Sequence, residues 1–148
     1  MDPHLYLPIF KRIPTPLDLT PLATNPALPA LHLWHRLLPW DITITSKLNP
    51  HHGVTIHDVL SQLHTHLRSC RITLYDYWTD VLTPRDRERI DRSCRTRVWE
   101  ITAGFLGNMD QAICRVDYLG DEYVFVGLVP CPDGSFEIKT TTPKKNGV

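Results

Sequence analysis

"LPWDITITSKLNPHHGVTIHDVL", residues 38–60, changes from one periodicity to another within a short length of chain. Ile42 and Ile44 alternate with Thr43 and Thr45, and a period of two in β-branched residues predicts a strand with one buried face. Beyond Pro50 and Gly53, Thr55 stands three positions before Asp58. At that spacing the threonine hydroxyl accepts the amide of the third helical residue, and the carboxylate accepts the cap amide in return. Val54 and Val59 occupy the positions of a hydrophobic staple, and Ile56, Val59, Leu60, Leu63 and Leu67 share one side of the helix that follows. A strand that runs directly into a capped amphipathic helix sets the class as α+β.

Working outward, 148 residues with 42% apolar and 22% charged side chains are enough for one domain with its own core. Basic and acidic residues balance at 16 each, so the whole-chain field favours neither nucleic acid nor an anionic membrane. No apolar run reaches the roughly 18 residues of a membrane span, and prolines interrupt the start where a signal peptide needs an unbroken stretch. The expectation is a soluble intracellular protein, cytoplasmic or nuclear. Cys70, Cys94, Cys114 and Cys131 form no close pair, which argues against a zinc or redox motif; reduced thiols are the default, with Cys94 and Cys114 as small core residues.

Seven of the 13 prolines fall within residues 1–29. That segment can be neither a helix nor a central strand, yet its leucines suit an extended arm packed on the body. "ALHLWHRLL" from Ala30 alternates Leu31, Leu33 and His35 against His32, Trp34 and Arg36. Two further threonine–aspartate pairs, Thr73–Asp76 and Thr83–Asp86, predict two more helix starts. The third helix places Ile90, Cys94, Val98, Ile101 and Phe105 on one side. "CRVDYLG" and "EYVFVGLV" flank Gly120-Asp121, a pair suited to a type II′ hairpin. With "SFEIKT" they predict an antiparallel meander, whose middle run, apolar on both faces, would be central and covered. Residues 143–148 complete the chain as a frayed tail.

"LATNPALPALHLWHRLLPWDITI", "GVTIHDVLSQLHTHL", "RSCRTR" and "RVDYLGDEYVFVGL" together resemble a fungal, mainly basidiomycete, family known as domain of unknown function 6699. The shared order maps to Ala23–Pro26, Leu38–Trp40, Val54–Leu60, Arg92–Arg95 and Val116–Gly120. Where the family commonly has Trp-Asp-Leu, this chain has Leu17-Asp18-Leu19, so no role of that tryptophan carries over. The resemblance implies a fungal source and a compact domain, and brings no activity with it.

The candidate chemistry is sparse. The histidines around the first helix lack the i, i+4 spacing that brings two imidazoles to one ion, so neither a metal nor a cofactor is expected. His57, Asp58 and Ser61 do not form a triad, because neighbours on a helix diverge and no nucleophile elbow is present. "TPRDRERIDRSCRTR" holds six arginines, of which Arg85, Arg89 and Arg92 form a ridge able to meet phosphates. Asp86, Glu88 and Asp91 offset half of that charge, and a solvated face laced with ion pairs is the simpler reading. Tyr75 and Trp78 are read first as core residues and second as a recognition surface. Arg115 and Asp117 would share one face of a strand, paired with each other or holding a ligand.

The expected fold is therefore a small, mostly antiparallel sheet with helices packed on one face and an extended proline-rich N-terminal arm. Its divisions are an arm at 1–29, a single domain at 30–142 and a tail at 143–148. The expected function is a non-enzymatic binding or protein-interaction module, with a protein partner or a second copy as its target. The alternatives are an enzyme whose site is assembled from dispersed residues and a weak polyanion binder using the arginine-rich helix.

Overall fold

A computed structural model describes residues 4–5, 20–48, 51–101 and 113–144. Most of the proline-rich arm, including Leu17-Asp18-Leu19, lies outside them, as do Phe105 and the end of the tail. The strands are β1 (His4–Leu5), β2 (Thr24–Asn25), β3 (Ala30–Trp34), β4 (Ile42–Thr45), β5 (Val124–Pro130) and β6 (Phe136–Thr141). The helices are α1 (Ile56–Arg68), α2 (Leu74–Tyr77), α3 (Pro84–Ile101) and a 3-10 helix at Arg115–Leu119. The chain divides into two compact units, one of residues 1–35, 40–65 and 126–139, the other of 36–39, 66–125 and 140–148.

In the first unit β3 pairs antiparallel with β4, setting Leu31 opposite Ile44 and Leu33 opposite Ile42. All four side chains are buried, as the alternation predicts. β3 also pairs in parallel with β6, through Leu33–Phe136 and Trp34–Glu137. The strand order is β4-β3-β6-β5, so the sheet is mixed and not purely antiparallel. The run expected to be central becomes β5 at the edge, where Val124, Val126 and Val129 are exposed. The physical reason is the parallel β3–β6 pairing, which gives β6 the inner place and requires a long crossover that no local pattern encodes.

The helix start at residues 54–58 forms as the sequence dictates. Thr55 donates its backbone N–H at 3.0 Å and its hydroxyl at 2.9 Å to Asp58 Oδ2, while its Oγ1 accepts the Asp58 N–H at 3.1 Å. Val54 and Val59 are both fully buried. Gln62, one turn further, brackets β4 by accepting the Thr45 N–H at 3.1 Å and donating to the Thr45 carbonyl at 2.6 Å. Residues 21–23 of the arm are tied down too: the Ala23 N–H donates to Val54 O at 2.9 Å and the Ile56 N–H to Pro21 O at 3.0 Å. Gly53 has φ +86°, and a Cβ there would stand 2.8 Å from the Ala27 Cβ, so both the turn and the approach of the arm call for glycine.

The second unit holds the two remaining caps, each built on the same bonds. Thr73 and Asp76 start α2, and Thr83 and Asp86 start α3. Ile90 and Cys94 of α3 are buried, at 0% and 2% exposure. The 3-10 helix replaces the strand expected at 115–119. Gly120 ends it with φ 60° and ψ −128°, the first position of a type II′ turn, and the Glu122 N–H donates to Leu119 O at 3.1 Å. The glycine-first turn is thus present, but it leads out of a helix and not out of a strand. Cys70 and Cys114 form a disulfide, which corrects the expectation of reduced thiols; the Arg115 N–H also donates to Ser69 O at 2.9 Å at this junction.

The three caps differ in what they support. α1 buries Ile56, Asp58, Val59, Gln62 and Leu63, whereas α2 has no buried residue. Asp58→Ala is expected to lower stability in urea melts by about 2 kcal/mol, the upper end for losing a cap, and Asp76→Ala by less than half of that.

Candidate functional site

The centre of the second unit is Asp117, 1% exposed at the third position of the 3-10 helix. Its carboxylate accepts the Cys114 N–H at 2.8 Å, Arg97 Nε at 2.9 Å and Arg97 Nη2 at 2.8 Å. This two-point bond joins α3 to the 3-10 helix. It corrects the expectation that Arg115 and Asp117 share a face. A 3-10 helix turns 120° per residue, so residues two apart diverge. Arg115 instead donates to His66 Nδ1 at 3.3 Å. Burial, followed by the Arg115 charge, lowers the His66 pKa from its ordinary value of 6.5.

Two cavities open along this junction. The smaller, about 190 Å³, is lined by Arg97, Asp117, Ser93, Thr96 and Tyr123 among others. The larger, about 540 Å³, is an open groove lined by Arg85, Arg89 and Arg92 together with Arg36, and by Glu88, Asp121 and Glu122. The structure therefore brings the predicted ridge into one wall and adds Arg36 from a distant segment. Most of this charge is already paired. Arg36 bonds Glu122, Arg89 bonds Asp86 at 2.6 Å and Arg92 bonds Glu88 at 3.3 Å.

Arg89 is the fixed member of that wall. Its Nε donates to the Tyr118 carbonyl at 3.3 Å, and its stem passes so close to Gly120 that a Cβ there would lie 2.7 Å from its Cγ and Cδ. Asp86 serves two roles at once, since Oδ2 caps α3 while Oδ1 holds Arg89. The Thr83 N–H first, then the Thr83 hydroxyl and Arg89, hold the Asp86 pKa down at about 2.

Tyr75 and Trp78 depart from the expected core placement. They are 81% and 64% exposed, with Leu74 and Val81 nearby at 80% and 72%. The half-buried Tyr77 is what α2 anchors: its hydroxyl donates to the Asp91 carboxylate at 2.8 Å. Burial and that bond raise its pKa to about 12. Trp78 stacks edge-on against Tyr77 with ring centroids 5.1 Å apart, and the Arg87 guanidinium lies 5.1 Å from the Trp78 centroid. A four-residue helix with so little burial has few other means of presenting its rings.

Elsewhere the chemistry resolves into structure. In the first unit a cavity of about 270 Å³ holds His32, Asp41, Asp133 and Ser135. There the Ser135 hydroxyl donates to Asp133 at 2.6 Å, and the His32 ring meets Thr43 Oγ1 at 3.3 Å, so no serine–histidine pair forms in it. Burial, then the Asp117 charge, pushes the Cys94 thiol pKa up, away from a thiolate nucleophile. Among the described residues no three His, Cys, Asp or Glu side chains could hold a metal ion together. Nor is any described helix long and apolar enough to cross a membrane.

The family whose sequence model matches this chain is described as a family of unknown function (DUF6699), and the match covers residues 3–136. No curated protein and no solved structure matches the chain.

Breaking the buried junction is expected to cost far more than breaking an exposed pair. Asp117→Ala should lower stability in chemical denaturation by about 3 kcal/mol, the low end for a buried pair because Arg97 is partly exposed. Arg92→Ala should change it by under about 0.5 kcal/mol. The pH response follows from His66, whose pKa is lowered on folding. Its contribution to stability is intact above 6.5 and is lost as pH falls through the lowered folded value. Melting temperatures should drop from pH 7.5 to 5.5, and His66→Gln should make that drop smaller.

Proposed function

We propose, from the premise that the chain belongs to the DUF6699 family, that it is a non-enzymatic protein-interaction module that docks a partner protein on its aromatic face. The observation that carries this reading is the exposure of Leu74, Tyr75, Trp78 and Val81 within eight consecutive residues. Aromatic side chains fixed in one orientation are the residues that dominate binding energy when a partner covers them. Here Trp78 makes an edge-to-face contact with Tyr77 and has the Arg87 guanidinium over its ring, so little side-chain freedom would be lost on docking. Leaving such rings in water brings no folding benefit, because α2 buries none of its residues.

The arrangement of acids and bases supports the same reading. Among the described residues, the Ser135 hydroxyl is bonded to the carboxylate beside it, and the Cys94 thiol beside Asp117 is buried. A polyanion binder is less well supported, since carboxylates of Glu88, Asp86 and Glu122 neutralise three of the arginines that would face phosphates.

The experiment compares affinity capture by the wild-type chain and by the Tyr75→Ala/Trp78→Ala variant in extract of the expressing cell, quantified by mass spectrometry. A partner retained by the wild type should fall at least tenfold with the variant, whose melting temperature should stay within a few degrees of wild type. Equal retention of every captured protein by both chains would sink the reading.

A further inference from the structure

The sequence contains four Thr-Pro pairs, beginning at Thr15, Thr20, Thr83 and Thr142. Only the last has a basic residue three positions after the threonine, in Thr142-Pro143-Lys144-Lys145; the others have aspartate or alanine there. Thr142 follows β6 directly, in irregular backbone, and Thr142, Pro143 and Lys144 are all exposed. The proline favours an extended backbone at Thr142, and the Thr142 hydroxyl bonds to nothing among the described residues. The Thr83 hydroxyl, in contrast, is spent on Asp86 at the start of α3. Thr142 also lines the groove of about 540 Å³ beside α3, together with Arg36, Arg85, Arg89 and Arg92. All of these residues belong to the second unit.

We propose that Thr142 is the acceptor for a proline-directed protein kinase that selects a basic residue at the third following position, and that the arginines of the groove hold the phosphate. In the transfer, the bond between the γ-phosphorus of ATP and its bridging oxygen breaks and a bond from Thr142 Oγ1 to that phosphorus forms. ADP leaves, and the hydroxyl proton passes to the catalytic aspartate of the kinase. The product carries a charge of about −1.5 to −2 and new acceptor oxygens, which an arginine cluster can meet with charge-assisted hydrogen bonds. Arg85 is exposed and uncommitted. Arg36 and Arg92 each give one nitrogen, Nη2, to a carboxylate, and the other N–H donors of a guanidinium can meet a phosphate without releasing that partner. Glu88, Asp121 and Glu122 in the same lining oppose a free polyanion. A single tethered phosphate needs only a few donors, and meets them at a high effective concentration.

The recognition motif lies in the sequence and the arginine wall in the fold, and neither involves the aromatic face. The experiment incubates the full chain with magnesium, ATP and a cyclin-dependent kinase of that selectivity, and maps phosphate by mass spectrometry. Phosphate should appear on Thr142, and Thr142→Ala should lower total incorporation by at least about tenfold. No phosphate on Thr142, or incorporation carried mainly by another residue, would overturn the proposal. The phosphorylated chain is then titrated by phosphorus NMR beside a phosphopeptide of residues 136–148. The second ionisation of a free phosphothreonine lies near about 6, and contact with the arginines should lower its midpoint in the chain by about 0.5 relative to the peptide. Arg85→Ala/Arg92→Ala, both at exposed positions, should return the midpoint most of the way to the peptide value. Salt at about 1 M should close the gap in the wild type, which tests the same contact without any substitution. A wild-type midpoint equal to that of the peptide, or a gap unmoved by both the variant and the salt, would overturn the placement of the phosphate in the groove.

Discussion

A carboxylate buried to 1% exposure, Asp117, sets the conditions for much of the second unit. Burying a carboxylate is costly unless its lone pairs are met by good hydrogen-bond donors. Here three N–H donors meet it within 2.9 Å, two of them from one guanidinium. The Cys114 N–H closes the start of the 3-10 helix, and the two Arg97 donors tie that helix to α3. The two cavities described above lie along that seam, so their walls depend on one ion pair for their relative placement. Tyr118 and Leu119, the next two residues, are buried as well, and the Tyr118 hydroxyl reaches the Asp76 carbonyl at 3.2 Å. The seam thereby also supports the base of α2.

Much of the local structure was legible because it depends on residues a few positions apart. Thr55–Asp58, Thr73–Asp76 and Thr83–Asp86 each state a helix start in four residues, and all three form the predicted bonds. Ile42 and Ile44 against Thr43 and Thr45 likewise state which strand face is buried. Residues 115–119 were misread because Val116 and Tyr118 mimic a strand's alternation. A usable signal was present, since Cys114 and Asp117 repeat the three-residue spacing of the caps without a hydroxyl to reveal it.

The rest depends on contacts that sequence spacing does not encode. Arg97 and Asp117 are 20 positions apart, and Arg36 and Glu122 are 86 apart. The Cys70–Cys114 bridge spans 44. Periodicity placed Arg85, Arg89 and Arg92 on one ridge, but it could not show that Arg36 faces them or that Asp86 turns back to hold Arg89. The exposure of Tyr75 and Trp78 was hidden for a related reason. A short aromatic-rich segment looks like core by composition, and only the Tyr77–Asp91 bond shows that a single ring anchors α2 while its neighbours remain outside.

The contrast between spent and unspent charge is the final step. An arginine already bonded to a carboxylate offers little to an incoming anion, because breaking the existing pair cancels most of the gain. Counting basic residues along α3 therefore overstates its attraction for anions, since five of its six arginines have partners among the described residues and only Arg85 is left. Arg87 lies over Trp78, Arg97 is committed to Asp117, and Arg95 Nε donates to the Asp91 carbonyl at 3.3 Å. What remains exposed and uncommitted is sparse and mixed in sign. The number of arginines in α3 is therefore a poor guide to its electrostatics, because what α3 and its neighbours present to solvent is a few separated charges of both signs and not a continuous positive field.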